Sequence, residues 1–197
     1  VFAVLLIVVT GITIASLSSA SGRSLISQLF PVSQTDNPES PVDGGSIQEV
    51  SVSGHVVVSV MRQGNEVYRF EDHNLITNAG KDFISAQIGS TSAASNGANY
   101  IALSSDSTAP AATDTSLAGE ISGNGLDRAQ GTYSHTPGTD TYTVQRAFTA
   151  TGAVSNIQKT GLFTAPFGGT MMAENTFSSV SLISGDQLTV TWTITIG

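Results

Sequence analysis

The sequence QLTVTWTITI, residues 187–196, is the clearest indication of how most of this 197-residue chain folds. Leu188, Val190, Trp192, Ile194 and Ile196 alternate strictly with threonines. Because successive side chains of a strand point to opposite faces of a sheet, the pattern predicts a strand with one face in a core and the other in water. The segment is rich in β-branched and aromatic residues, which favour strands.

Similar patterns occur at several places upstream. Residues 48–62 and 66–72 flank a turn and predict a β-hairpin. Residues 132–150 predict a second hairpin, whose turn is the sequence HTPGTD. Further strands are predicted at residues 100–103, 153–158, 170–173 and 177–183. Together these segments predict a mainly β, sandwich-like globular domain over residues 47–197.

One short helix is predicted inside this β domain, in the sequence HNLITNAGKDFISAQIG. Thr77 or Asn78 can cap its N-terminus, and Gly89 stands where a C-cap glycine is expected. Three apolar residues are expected to face the core: Phe83, Ile84 and Ile88. The helix should span about ten residues and pack on a sheet.

The N-terminal segment has a different character, because its first 22 residues, VFAVLLIVVTGITIASLSSASG, carry no charge. At about 1.5 Å of rise per residue, a helix over residues 1–30 would be roughly 45 Å long, which exceeds a hydrocarbon layer of about 30 Å. In apolar surroundings a backbone must satisfy its own hydrogen bonds, which favours helix despite the many β-branched side chains. Residues 1–30 therefore predict a long hydrophobic N-terminal α-helix, serving as a filament core or a membrane anchor.

The composition of this predicted helix changes along its length. From Thr10 to Gly22 small and hydroxylated residues dominate, the types that let helices approach closely. A second apolar group after Arg23 has the spacing of one helical face: Leu25, Ile26, Leu29 and Phe30. A lone membrane anchor would not need this extension.

The first residue is Val1 rather than Met, and no basic region precedes the apolar run. We therefore expect the apolar segment to be retained in the mature protein. The missing methionine suggests that a shorter leader is removed before Val1, or that the sequence is truncated there.

Residues 31–46, PVSQTDNPESPVDGGS, predict a linker between the helix and the β domain. Three prolines stop the helix and favour an extended course, and two glycines allow a bend. Asp36, Glu39 and Asp43 are expected to be solvated, because a calcium loop needs ligands at closer, more regular spacing.

An uncharged N-terminal helix, a short linker and a β domain rich in serine and threonine resemble an archaeal type IV pilin or archaellin-like filament subunit. The resemblance covers residues 1–50. In that family a prepilin-type peptidase cuts before the apolar segment, which waits in the membrane until assembly packs it into the filament core. Bacterial members usually begin with phenylalanine and carry glutamate at the fifth position, whereas this chain has Val1 and Leu5.

The resemblance implies an extracellular structural protein that forms a helical filament with copies of itself from a membrane-inserted precursor, with β domains exposed for surface contact or cell adhesion. The residues expected to pack subunits in the filament core are Val1, Phe2, Val4, Leu5, Leu6, Ile7, Val8, Val9, Gly11, Ile12, Ile14, Leu17, Leu25, Ile26, Leu29 and Phe30. The alternative is a membrane-anchored surface or adhesive protein whose N-terminal helix lies in lipid.

Composition narrows the remaining functions. Seven basic and fifteen acidic side chains give a net charge of -8, which argues against nucleic acid as a partner. The chain has no cysteine, so disulfides, thiolate metal sites and a cysteine nucleophile are excluded. Serine and threonine number 50 of 197 residues, which is typical of extracellular β domains and offers sites for O-linked glycans.

The sequence contains no motif of a catalytic or phosphate-binding site. Its three histidines lack metal-ligand spacing and are expected to be turn or surface residues: His55, His73 and His135. Four acidic residues could meet as a cation site, although solvated loop positions are expected: Asp106, Asp114, Glu120 and Asp127. We therefore expect no catalytic residue, cofactor or resident metal, and an enzyme with an unrecognised site remains a third alternative.

Overall fold

The computed structural model describes residues 6–9, 12–15, 50–91 and 96–197. The chain divides into two compact units, Val1–Ile47 and Gln48–Gly197. In the first unit, strand β1 (Leu6–Val9) pairs antiparallel with strand β2 (Ile12–Ala15).

The predicted N-terminal helix is not shown by the structure. Eight residues within its range form the β1–β2 pair, and its other residues lie outside the described part of the chain, as does the predicted linker. Six of these eight residues are β-branched. Such side chains lose rotamer freedom in a helix and pack well on a pleated surface, so the strands follow the local preference.

The second unit is mainly β with one helix, as the sequence predicts. Its elements are β3 (Val52–Arg62), β4 (Asn65–His73), β5 (Leu75–Ile76), α1 (Asn78–Gly89), β6 (Tyr100–Ser104), β7 (Ala129–Gln130), β8 (Thr132–His135), β9 (Thr141–Thr149), β10 (Val154–Phe163), β11 (Met171–Leu182) and β12 (Gln187–Ile196). Two five-stranded antiparallel sheets result. The β12 sheet has the order β4-β3-β12-β9-β8, and the β10 sheet has the order β5-β11-β10-β6-β7.

Strand β12 is the centre of its sheet and confirms the alternation in its sequence. The side chains of Leu188, Val190, Trp192 and Ile194 are fully buried, whereas the threonines between them are partly exposed. Trp192 lies opposite Val56 on β3 and a buried valine of β9. The same core cluster contains buried residues of β6, β10 and β11, so the two sheets enclose it between them.

Both predicted hairpins are confirmed. Strands β3 and β4 are joined at Gln63 and Gly64, which have φ angles of 50° and 81°. Two successive positive φ angles give the turn a twist that suits a two-residue hairpin. Strands β8 and β9 form the second hairpin.

The later strands differ in extent from the prediction. Strand β10 extends to Phe163, and the segments predicted at 170–173 and 177–183 are one continuous strand, β11. The polar residues Glu174, Asn175 and Thr176 suggested a break between them. In the structure Glu174 and Asn175 are buried, because the β10 sheet is covered on both faces.

Helix α1 begins as predicted, with the Thr77 side chain accepting a hydrogen bond from the Gly80 backbone N–H at 2.9 Å. Its far end differs from the prediction. Gly89 is the last helical residue and Ser90 is the C-cap, with extended backbone. Ile88 is 75% exposed rather than directed inward, because the core side of the helix is supplied by Phe83 and Ile84.

Candidate functional site

The outer face of the β10 sheet, opposite the main core, is buried beneath residues 105–128, here called the cover loop. A small apolar cluster lies between them and consists of Ala102, Leu117, Phe163 and Met171, with Tyr100 packed against it. Leu117 is the residue of this apolar cluster that belongs to the cover loop. The cover loop contains no helix or named strand, yet it shields a sheet face from water.

Specific hydrogen bonds fix the cover loop at both ends. At its start the Ser104 hydroxyl donates to the backbone carbonyl of Ala118 and accepts from the backbone N–H of Asp106. At its end Arg128 donates two hydrogen bonds to the carboxylate of Glu120 and lies 3.6 Å above the centre of the Phe163 ring. These contacts hold the acidic residues of the loop at defined positions over the sheet.

A buried charge cluster lies under the cover loop and is centred on Lys159 of β10. Its Nζ is 2.6 Å from Oδ2 of Asp106 and 3.8 Å from Oε2 of Glu174. The Lys159 side chain is 3% exposed, that of Glu174 1% and that of Asp106 21%. A buried ammonium beside two carboxyls requires good pairing, because the charges have lost their contact with water.

Strand register explains why these residues meet. Lys159 lies opposite Ser104 on β6, two residues before Asp106. On its other side Lys159 lies opposite Thr176 of β11, two residues after Glu174. Side chains two residues apart on a strand share a face, so the Glu174 carboxyl lies on the same side as Lys159. Asp106 follows the end of β6, where its backbone N–H donates to the Ser104 hydroxyl.

Asp114 of the cover loop completes the cluster from above Glu174. Its Oδ2 accepts a hydrogen bond from the Ala111 backbone N–H at 2.9 Å. A hydrogen bond from Glu174 holds the pKa of Asp114 below its usual range. On the other side, a hydrogen bond from Lys159 lowers the pKa of Asp106, which also accepts from the Thr108 hydroxyl at 2.9 Å.

Glu174 has the most altered chemistry of the group. Burial and, secondly, the hydrogen bond to Asp114 raise its pKa to about 7, against the opposing effect of the Lys159 ammonium. Its Oε1 has no hydrogen-bond donor in the part of the chain that the structure describes. Burial without a donor favours the protonated carboxyl, which can donate to Asp114.

A polar cavity of about 290 Å³ opens beside the cluster. Its lining includes Asp106, Asp114 and Lys159 together with hydroxyl groups of the cover loop. A different, apolar cavity of about 470 Å³ lies between helix α1 and the β8–β9 hairpin. Its lining includes Phe83, Ile88, Tyr133 and Tyr142.

The four acidic residues considered as a cation site do not converge. Asp106 and Asp114 both belong to the Lys159 cluster, whereas Glu120 pairs with Arg128 and Asp127 accepts from the Gly123 backbone N–H. Positively charged side chains of the protein, Lys159 and Arg128, thus pair with Asp106 and Glu120. Over residues 50–91 and 96–197 the structure holds no group of three potential ligands that could bind a metal ion.

The histidines occupy strands rather than turns. His55 and His73 lie on neighbouring strands with ring centres 5.8 Å apart, and Nε2 of His55 is 3.4 Å from Glu71. His135 lies on β8 and contacts the carbonyl of Thr141.

Sequence reasoning missed Lys159 and Glu174. The available signal was a charged residue inside each of two otherwise apolar or small-residue stretches, KTGLF and MMAEN. The sixteen residues predicted to pack subunits lie within residues 1–30, where the structure gives only the β1–β2 backbone, so that assignment stays a prediction.

Comparisons with protein-family models, with proteins of known function and with solved structures find no significant similarity to this chain. Among the helices that the structure describes, none is both long and apolar enough to cross a membrane.

Proposed function

We propose that this chain is a non-enzymatic structural subunit of an extracellular helical filament of the type IV pilus kind. Residues 1–30 would pack as helices in the filament core, so a helix would replace the β1–β2 pair on assembly. The β domains would coat the outside. The main support for the proposal is that one chain contains both an uncharged 22-residue segment and a β domain, whose core is built from residues 52–194.

The apolar side chains of the N-terminal segment require burial from water. Burial from water contributes about 0.8 kcal/mol for each methylene group, so a run of valine, leucine and isoleucine strongly favours either lipid or other apolar segments. The small residues from Thr10 to Gly22 favour contact between helices, since they let backbones approach closely. A helix is the conformation that satisfies the backbone in such surroundings.

The edge strands of the β domain are poorly suited to pairing with a strand of another chain. This favours assembly through the N-terminal segment. Edge strand β4 carries Glu66, Arg69, Glu71 and Asp72, and charged edges resist pairing with another chain. The opposite edge, β8, is four residues long, and the edges of the β10 sheet, β5 and β7, have two residues each. Short edges offer few backbone groups to a neighbour.

Exposed serine and threonine side chains and a net negative charge suit an outer surface that contacts water and other cells. They also offer sites for O-linked glycans. A membrane-anchored surface or adhesive protein is the second candidate, because the same apolar segment could remain in lipid.

Substitution of Gly11 separates the two candidates. Gly11→Leu keeps the segment uncharged, so membrane insertion should persist, but the larger side chain should block close helix packing and abolish filaments. Ile12→Leu is the matched control and should leave filaments intact. The measurement is sedimentation of the chain after membranes are dissolved in mild detergent.

The filament proposal expects wild type and Ile12→Leu in the pellet and Gly11→Leu in the supernatant. If the wild-type chain itself enters the supernatant, the membrane-anchored protein is the better account.

A further inference from the structure

We propose that the side chains of Lys159 and Asp106 join in an amide bond within the chain, with Glu174 carrying protons for the reaction. The structure holds the three residues as an ion cluster, which is the state that precedes such a bond. The inference rests on the β domain alone and does not depend on the proposed function.

The geometry places the reacting groups together. Nζ of Lys159 is 2.6 Å from Oδ2 of Asp106, and the carboxyl carbon is one bond beyond that oxygen. This contact brings the nitrogen close to the separation of roughly 3–3.5 Å at which intramolecular reactions are accelerated. Lys159 is fixed by β10, and Asp106 is fixed by the Ser104 hydroxyl at the end of β6. Neither group must lose much freedom to react.

The reaction proceeds through the uncharged partners. At rest Asp106 is a carboxylate, because the hydrogen bond from Lys159 lowers its pKa, and the two groups already share a 2.6 Å hydrogen bond. Transfer of one proton within the hydrogen bond gives a neutral amine and a neutral carboxyl. A neutral amine is the form of lysine that acts as a nucleophile.

The condensation balances without a further reactant. After the first proton moves from Nζ to Oδ2, the Nζ lone pair forms a bond to Cγ of Asp106 as the carbonyl π bond opens. Protonated Glu174 gives its proton to the leaving hydroxyl, which departs as water when the carbonyl re-forms, and Glu174 takes a second proton from Nζ in return. One C–N bond is gained, one C–O bond is lost, and Glu174 ends as it began.

Glu174 suits this proton-carrying role. Its Oε2 lies 3.8 Å from Nζ, a distance that a small side-chain rotation closes. Its buried Oε1 has no donor in the described part of the chain. With a pKa of about 7, this carboxyl can both accept and release a proton near neutral pH.

The product would tie the cover loop covalently to the centre of the β10 sheet. Lys159 and Asp106 are 53 residues apart, so the bond would close a long loop that includes β7, β8 and β9. Cross-links that close long loops restrict the unfolded chain most.

Peptide mapping of the full-length chain tests the proposal. Trypsin cuts after lysine and arginine, and an amide on Lys159 blocks cleavage there. We expect a single product in which residues 82–128 are joined to residues 147–197 with the loss of one water. If residues 147–159 and 160–197 are recovered as free, unmodified peptides, the proposal is wrong.

Four variants assign the roles. Lys159→Arg and Glu174→Gln should give unlinked peptides that have lost no water, whereas Lys81→Arg, which replaces the other lysine of the chain, should remain linked. Circular dichroism checks that each variant is folded. If folded Glu174→Gln links as fast as wild type, Glu174 carries no proton in the reaction. Glu174→Asp, which keeps a carboxyl, should link more slowly than wild type.

Discussion

Glu174 combines a buried position, a raised pKa and two charged neighbours, and this combination has a consequence for stability. Its side chain is 1% exposed and faces the Lys159 ammonium on one side and Asp114 on the other. The folded state therefore prefers the protonated carboxyl. A carboxyl of this kind makes the folded chain bind a proton that the unfolded chain has released.

We predict that the chain becomes less stable as pH rises from about 4.5 to about 7. The pKa of Glu174 rises from its ordinary value of 4.5 to about 7 on folding, so its contribution is fully present below the first value and is lost through the second. Asp106 and Asp114 act in the opposite sense, since their pKa values are lowered and their contribution is lost only as pH falls below the ordinary 3.8. If Lys159 were part of an amide bond, the stability of the chain would still fall as pH rises. The amide would remove a positive charge that lowers the pKa of Glu174.

The measurement is the urea midpoint of the full-length chain, kept as single subunits in mild detergent, at about pH 5 and about pH 7.5. The midpoint of wild type should be lower at the higher pH. Glu174→Gln should remove this difference, since glutamine does not titrate. An equal midpoint of wild type at the two pH values would show that Glu174 has an ordinary pKa.

Helix α1 depends on one close approach to the β10 sheet. A Cβ atom added at Gly80 would lie 2.2 Å from the backbone carbonyl oxygen of Met172, whereas one at Gly89 would meet nothing within 4 Å. Both glycines lie in the same helix, and neither has a positive φ angle. Alanine substitutions at these two glycines therefore distinguish the effect of helix propensity from the effect of packing against the sheet.

We predict opposite effects of alanine at these two positions. Gly80→Ala should lower the free energy of unfolding by about 1–3 kcal/mol, because the helix must move away from β11. Gly89→Ala should leave it unchanged or raise it by up to about 1 kcal/mol through improved helix propensity. Chemical denaturation of the two variants measures both values. A stabilising Gly80→Ala would show that α1 does not pack closely on the sheet.

The elements that the sequence predicts best are those with one wet face. The strict alternation of β12 and the hairpin β3–β4 follow directly from a period of two, because water on one side and core on the other leave a visible pattern. Strands β10 and β11 are buried on both faces near the cover loop, so their patterns lack that contrast. This is why β11 was predicted as two separate strands.

The candidate site was less predictable than the fold. Asp106 and Asp114 could be named from the sequence as acidic loop residues, but their partners could not. Lys159 and Glu174 lie on different strands, and only the register of β10 with its neighbours places them under the cover loop. Sequence spacing does not contain that register, since it depends on bulges within the β10–β11 pair.

For the molecule as a whole, the central proposal is that an independent β domain is carried on an apolar segment that assembles with its own copies. The charged or short edge strands limit association through the sheets. A cross-linked cover loop would suit a domain exposed to mechanical force, but the two proposals can fail separately. Peptide mapping tests whether the amide bond forms. Examination of the chain on the cell surface tests whether it forms a filament.

The most direct test is electron microscopy of appendages sheared from the source cells and washed in mild detergent, with mass spectrometry of the same fraction. The proposal predicts thin filaments composed of this chain, with the apolar segment retained. The contradicting result is a chain that leaves with the dissolved membranes while the remaining appendages contain other proteins.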